Sequence, residues 1–227
     1  MNPILKALGA LLSYPTPELV EAMPEIRAIV DAERRLPRGE RRALGRLCDA
    51  TEAPDLIDVQ ERYVALFDRG RATSLHLFEH VHGDSRDRGQ AMVDLHRIYA
   101  EAGLALVGNE LPDYLPALLE FLALQPFATA VEMLTDSERL LRGIGEALAG
   151  RESPHAAVFA ALLSLIGARP LAAPREPPPA EKTLDEEWVE EPVLFGRASA
   201  CSAQGAAASS VVRFVGRNRP IDQGVPR

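Results

Sequence analysis

Two histidines and a glutamate at the spacing His76-Leu-Phe-Glu79-His80 are the residues of this chain best able to do chemistry. In the pattern H-x-x-E-H, two imidazoles one helical turn apart can chelate zinc while the glutamate activates a bound water, so the spacing describes a zinc-dependent hydrolase. Such a centre needs a third ligand and an open coordination position. Downstream, Glu132, Glu138 and Glu146 read as ordinary helix-surface acids, and a pattern this short recurs by chance.

The same residues fit a second reading, a hydrogen-bonded corner between two helices. Leu75, Phe78 and Val81 form one apolar flank of a short helix, Gly83 ends it, and Ser85 caps the next. At such a corner His80 and His82 donate to backbone carbonyls or pair with Glu79 and Asp84. Arg86 and Arg88 fall in a first turn where the helix dipole disfavours cations, so they require acidic partners. The residues alone leave both readings open.

The elements that must position this stretch are helical. Asn2-Pro3, Thr16-Pro17-Glu18 and Ser153-Pro154 each set an N-cap before a proline at the first helical position. Apolar residues recur at helical spacing at Leu8, Leu11 and Leu12, then at Leu19, Met23, Ile26 and Val30, then at Leu44, Leu47 and Cys48. Ile57, Val59, Tyr63, Leu66 and Phe67 continue the series. From Ser85 the stripe Met92, Leu95, Ile98 and Tyr99 runs towards Leu106, with Gly103 weakening it but not ending it. Further stripes run from Leu115 to Leu124, Val131 to Leu148 and Val158 to Ile166, and no β-branched alternation competes with them. The pattern predicts an all-α fold, a single bundle of roughly eight or nine helices over residues 1–169. In Leu111-Pro112-Asp113-Tyr114-Leu115-Pro116 the prolines fix the start of a helix and Asp113 caps it. Leu118, Leu119, Phe121 and Leu122 then anchor that helix, leaving Tyr114 and Glu120 to face a groove, with Glu120 equally readable as a solvent-facing helix acid.

Composition narrows the function classes. The 227 residues carry 25 Lys and Arg against 33 Asp and Glu, a formal net charge of −8, which argues against phosphate backbones as partners. Cys48 and Cys201 stand far apart and suggest neither a disulfide framework nor a thiolate metal site. The first residues lack a basic leader and a small-residue cleavage site, no run approaches ~20 apolar residues, and no phosphate-binding or dinucleotide fingerprint is present. A soluble cytoplasmic protein is the expectation.

From Arg169-Pro170 the composition changes. Pro174, Pro177, Pro178 and Pro179 prevent helix, and the Ala-, Ser- and Gly-rich stretch beyond Arg197 offers little apolar surface to offset ordering entropy. Residues 170–227 therefore read as a flexible, disordered tail with opposite charge blocks: six acids and one lysine from Glu181 to Glu191, then five arginines and one aspartate from Arg197 onward. Between the blocks lies the segment 184–196, whose Trp188, Val193, Leu194 and Phe195 read as a docking element.

Two words carry a resemblance to a known family. Tyr63-Val-Ala-Leu-Phe67-Asp68, followed by Ser74-Leu-His76-Leu-Phe-Glu79-His80-Val-His82-Gly83 and Ser85-Arg86-Asp87-Arg88-Gly89-Gln90 through Asp94, resembles the signature of the NarJ family almost unbroken. Leu111 to Leu122 is similar to the P-D-[HY]-x-P-x-x-L-E-F-L word that this family shares with the wider redox-enzyme maturation chaperones. His80-Val-His82-Gly83 and the Trp188-to-Phe195 word favour a nitrate reductase chaperone over relatives serving trimethylamine N-oxide or dimethyl sulfoxide reductase.

The resemblance implies a cytoplasmic, non-enzymatic chaperone that binds the N-terminal segment of the NarG-like catalytic subunit of respiratory nitrate reductase. It holds that client while bis-molybdopterin guanine dinucleotide and an iron-sulfur cluster are inserted, before membrane docking, and binds no cofactor stably itself. It also implies a client groove with its apolar side on Leu66, Phe67, Leu75 and Phe78. Tyr63, Asp68, Arg71, His76, Glu79, His80, His82, Tyr114 and Glu120 would line or rim that groove, with Arg86, Asp87, Arg88 and Gln90 either orienting it or touching the rest of the client. On that implication the metal reading recedes.

Overall fold

Proline and small polar residues cut this chain into helices more often than apolar periodicity alone suggests. The computed structural model describes residues 1–82, 86–106 and 110–172, with the side chains of His82 and Arg86 excepted. The Gly83 stop, the Ser85 cap, Cys201 and the segment 184–196 with Trp188, Val193, Leu194 and Phe195 lie outside the described residues, as does the expected disorder of the tail. The chain divides into Met1–Lys182 and Thr183–Arg227, and the description concerns the first of these.

Among the described residues the fold is all-α, with eleven α-helices and no strand. They are α1 (Pro3–Leu11), α2 (Pro17–Glu21), α3 (Met23–Ala32), α4 (Arg38–Thr51), α5 (Leu56–Phe67), α6 (Leu77–His82), α7 (Arg86–Glu101), α8 (Leu115–Leu124), α9 (Phe127–Asp136), α10 (Glu138–Gly150) and α11 (Ala156–Leu165), with a 3₁₀ turn at Arg71–Thr73 between α5 and α6. The excess over eight or nine has two local causes. Pro24 lacks the N–H a continuous helix would use, so the stripe from Leu19 to Val30 splits into α2 and α3. Ser137 closes α9 and opens α10, and its hydroxyl donates back to the Met133 carbonyl at 3.2 Å, so the stripe from Val131 to Leu148 also splits.

Three other boundaries differ from the sequence reading. Gly103 does end α7: its φ of +75° places it in the left-handed region, and Leu104 N donates to Tyr99 O at 3.0 Å while Gly103 N donates to Ala100 O at 2.9 Å. The Ser153-Pro154 pair starts a turn, and α11 begins at Ala156. Asn2 precedes α1 but does not cap it, since its side-chain amide donates to the Gln125 carbonyl at 2.8 Å and its backbone N–H to Ala123 O at 2.6 Å. Asn2 thus satisfies carbonyls freed at the far end of α8. Thr16 caps as expected, accepting from Leu19 N at 3.3 Å.

α1 lies against α8 and α3, α10 against α11, and α11 against α4. Ile4, Leu5, Leu8, Leu12, Leu115, Leu119 and Leu122 are fully buried at the α1–α8 seam, each contributing about 1.5–3 kcal/mol. Gly9 permits the close approach: a Cβ there would lie 3.1 Å from the Pro116 carbonyl oxygen and 3.2 Å from Leu119 Cβ. No described helix is long and apolar enough to cross a membrane.

Candidate binding cleft and its histidine corner

The two most distinctive words of the sequence meet in space. Leu77 N donates to Asp113 O at 3.1 Å and Leu115 N to Leu75 O at 2.9 Å, an antiparallel bridge that sets His76 opposite Tyr114. Asp113 is fully buried, and its carboxylate turns away from the helix it was expected to cap. Oδ2 accepts from Phe78 N at 3.0 Å, in the first turn of α6, and Oδ1 faces His76 Nδ1 at 3.3 Å. Asp113 therefore caps α6, while α8 starts at Leu115 and its N-cap residue, Tyr114, makes no side-chain cap.

The other polar groups at this corner are committed in the same way. Ser74 Oγ donates to Glu79 Oε2 at 2.6 Å and accepts from His76 N at 3.3 Å. His80 Nε2 lies 2.9 Å from the Ser74 carbonyl, which can only accept, so Nε2 carries the proton. Arg88 reaches Glu79 Oε1 at 3.3 Å, the acidic partner its place on α7 required. The hydrogen bond to Asp113 raises the His76 pKa above the ordinary imidazole value, burial opposing it. Burial alone would lift the Glu79 carboxyl, yet the Ser74 hydroxyl, Arg88 and His76 together hold it below its usual range. One ring nitrogen each of His76 and His80 and the Glu79 carboxylate thus enter three different protein contacts, and no group of three His, Cys, Asp or Glu gathers among the described residues in a metal-binding arrangement. The geometry is that of the hydrogen-bonded corner.

An aromatic wall stands behind it. The Tyr63 hydroxyl donates to the Leu12 carbonyl at 2.8 Å, so in its 3.2 Å contact with Tyr114 it must accept. His76 lies 5.3 Å from the Tyr114 ring, Tyr14 meets Tyr63 edge-on at 5.5 Å, and Phe67 meets the partly buried His155 at 5.2 Å. Burial raises the hydroxyl pKa of both Tyr63 and Tyr114, and it pushes His155 down to about 4, so that imidazole is neutral at ordinary pH.

Beside Tyr114 opens a cleft of about 710 Å³ between α1, α8, Tyr99, Leu104 to Leu106 and Glu110. Its apolar surface comes from Gly9 and Ala10 on α1, Pro116, Ala117, Phe121 and Leu124 on α8, and Leu104 and Leu106 after α7. Leu124 is half exposed. Polar atoms stand around it: Lys6, Ser13, Tyr14, Glu110, Tyr114 and Glu120. The Tyr99 hydroxyl is tied to the Pro112 carbonyl at 2.7 Å, which fixes the end of α7 to the start of the α8 word.

The sequence-predicted residues divide between two places. Tyr114 and Glu120 line the cleft. Phe67, Asp68, Arg71, His76 and Glu79 line a shallower hollow of about 400 Å³ on the other side of the His76–Tyr114 bridge. Tyr63 and Leu75 are buried in the core, Leu66 and Phe78 are partly buried against it, and His80 is turned to the Ser74 carbonyl. Asp87 and Gln90 are exposed on α7, Gln90 bonding Asp94 at 3.3 Å; Leu77, rather than Val81, is the buried residue of α6. The α1 side of the cleft, from Lys6 to Tyr14, was missed. Its one sequence signal is the run of small residues Gly9, Ala10 and Ser13, which permits a shallow helix face.

The chain that carries this corner and cleft belongs to a recognised class. The sequence model of the family described as nitrate reductase delta subunit matches residues 33–161, and the chain belongs to that family. It is 40% identical over 225 residues to the nitrate reductase molybdenum cofactor assembly chaperone NarJ of Escherichia coli strain K12, covering 95% of this chain and 94% of that protein. It is 41% identical over 213 residues to the probable nitrate reductase molybdenum cofactor assembly chaperone NarW of the same strain, covering 88% and 87%. A probable NarJ chaperone of Bacillus subtilis is 30% identical over 165 residues, covering 70% of this chain and 84% of its own.

Proposed function

We propose that this chain is a cytoplasmic chaperone, not a catalyst, dedicated to the molybdenum-containing catalytic subunit of a respiratory nitrate reductase. It holds that subunit's N-terminal segment while bis-molybdopterin guanine dinucleotide and an iron-sulfur cluster enter the client, before membrane docking. The names of its relatives support the client; the cleft beside Tyr114 carries the binding mode. Small residues on α1 and Pro116 and Ala117 on α8 leave room for a helix backbone, while Phe121, Leu104, Leu106 and Leu124 offer apolar contact. Glu110 and Glu120 outnumber Lys6 around it, which suits an amphipathic helix bearing basic residues.

The corner residues act behind this surface: Asp113 and His76 fix the bridge that places Tyr114, and Phe67, Asp68, Arg71 and Glu79 offer a second contact area for the client. Release follows from competition, once the loaded client packs its terminus elsewhere, without nucleotide hydrolysis. Calorimetric titration with a synthetic peptide matching the N-terminus of the cognate catalytic subunit tests the reading. Saturable binding is expected, weakened about tenfold, roughly 1.4 kcal/mol, by Leu124→Glu at unchanged helicity. Absence of binding, or indifference to that substitution, refutes the cleft as the seat.

A further inference from the structure

Resting on the client reading above, we infer that the client track does not stop at the cleft but passes Tyr14 onto the outer face of α5, where a second apolar stretch of the same segment docks. α5 carries two apolar stripes. Tyr63 and Phe67 form the inner one and are buried. The outer one runs Ile57, Val64 and Ala65, at spacings that share a helix face, and Ile57 is 65% exposed. A surface helix needs one apolar face for the core; a second, left open, marks a place for a partner.

A furrow of about 500 Å³ runs along this outer stripe, walled by Tyr14, Ile57, Gln60, Glu61, Val64, Ala65 and Arg69. Tyr14 also walls the cleft, so the two depressions share a side chain. The ring of Tyr14 is held edge-on to Tyr63 at 88° and remains 43% exposed, fixed in place while open to both sides. A chain leaving the cleft over Tyr14 therefore meets Ile57 next. Gln60 is held to the Pro15 carbonyl at 2.8 Å, which ties the furrow to the loop carrying Tyr14. Glu61 and Arg69 enter no ion pair among the described residues, so the fitting partner is an apolar helical ridge flanked by one basic and one acidic side chain.

The test compares two peptides from the N-terminus of the cognate catalytic subunit, one of about four helical turns (~14 residues) and one of about twice that length, by fluorescence anisotropy against the full chain. The longer peptide is expected to bind about tenfold more tightly, and Ile57→Glu to erase that gain while leaving the shorter peptide unaffected. Because Ile57 is exposed, the variant keeps the fold. Equal affinities for the two peptides, or an Ile57→Glu variant that weakens both alike, overturns the inference while sparing the cleft. So does a dimer of this chain that Ile57→Glu converts to monomer with no change in the longer peptide's affinity. If neither peptide binds the unsubstituted chain, the client reading itself fails, and this extension with it.

Discussion

α8 and the corner at Ser74–His80 touch through one backbone bridge, yet they are held by opposite means. α8 is fixed by burial: Leu115, Leu119 and Leu122 have no exposed surface, and Gly9 lets α1 close upon them. The corner is fixed by direction, through a fully buried carboxylate that accepts from Phe78 N and His76, a serine hydroxyl shared between Glu79 and His76, and an imidazole on a carbonyl. Apolar packing is insensitive to pH and gives a wall of constant shape. Hydrogen bonding to ionisable groups places side chains sharply but ties the place to protonation.

The largest effect belongs to the packed wall. Leu119→Ala, which opens a cavity between α1 and α8, is expected to cost about 2–5 kcal/mol in urea unfolding, independent of pH. A smaller loss, or one that changes between pH 6 and 8, breaks the contrast. Next comes His155, the partly buried imidazole packed against Tyr63 and Phe67. Its folded pKa of about 4 lies below the ordinary value of about 6.5, so the stability tied to its neutral form is complete above ~6.5 and is lost as pH falls towards 4, on the order of 3 kcal/mol. His155→Phe should shrink the acid loss of stability by an amount of that order, measured as the difference between variant and parent at pH 4.5 and 7.

Asp113→Ala should cost about 1–3 kcal/mol, because it removes the buried carboxylate that accepts from Phe78 N and pairs with His76. Its pH signature has the opposite sign to that of His155. His76 is raised by Asp113, so its contribution is full below the ordinary imidazole value and is lost as pH rises through the raised one. Proton-detected titration of His76 should give a midpoint above that of a free imidazole, brought down by Asp113→Asn; an unmoved midpoint would show that the pair does not form. The smallest effect is expected at Arg88→Ala, about 0.2–1 kcal/mol, since its contact with Glu79 is partly exposed.

Helix content was plain in the sequence because leucine spacing reports a local property, and the Leu115–Leu124 stripe matches α8 residue for residue. Boundaries set by a single residue were harder: Pro24 and Ser137 each interrupt a stripe whose period continues across them. The histidine motif was legible as a constellation, but its meaning depended on Asp113, which approaches from a distant part of the chain and whose neighbours made it look like the cap of its own helix. The cleft was half legible. Tyr114 and Glu120 stood out beside prolines, whereas Lys6, Ala10 and Tyr14 sit in an ordinary amphipathic helix and its loop, and only packing against α8 turns them towards a common space.

The bridge between His76 and Tyr114 also carries an expectation for how the chain opens. In chain order α6 and α7 form an excursion that leaves and returns at this bridge, its ends clasped by the amides of Leu77 and Leu115. Such an excursion can detach as one cooperative unit while the α1–α8 seam stays folded. Amide exchange at those two positions would then report a shared opening that is faster than global unfolding. In a living cell, that opening would expose α6 and α7 to proteases well before the remainder of the molecule became vulnerable.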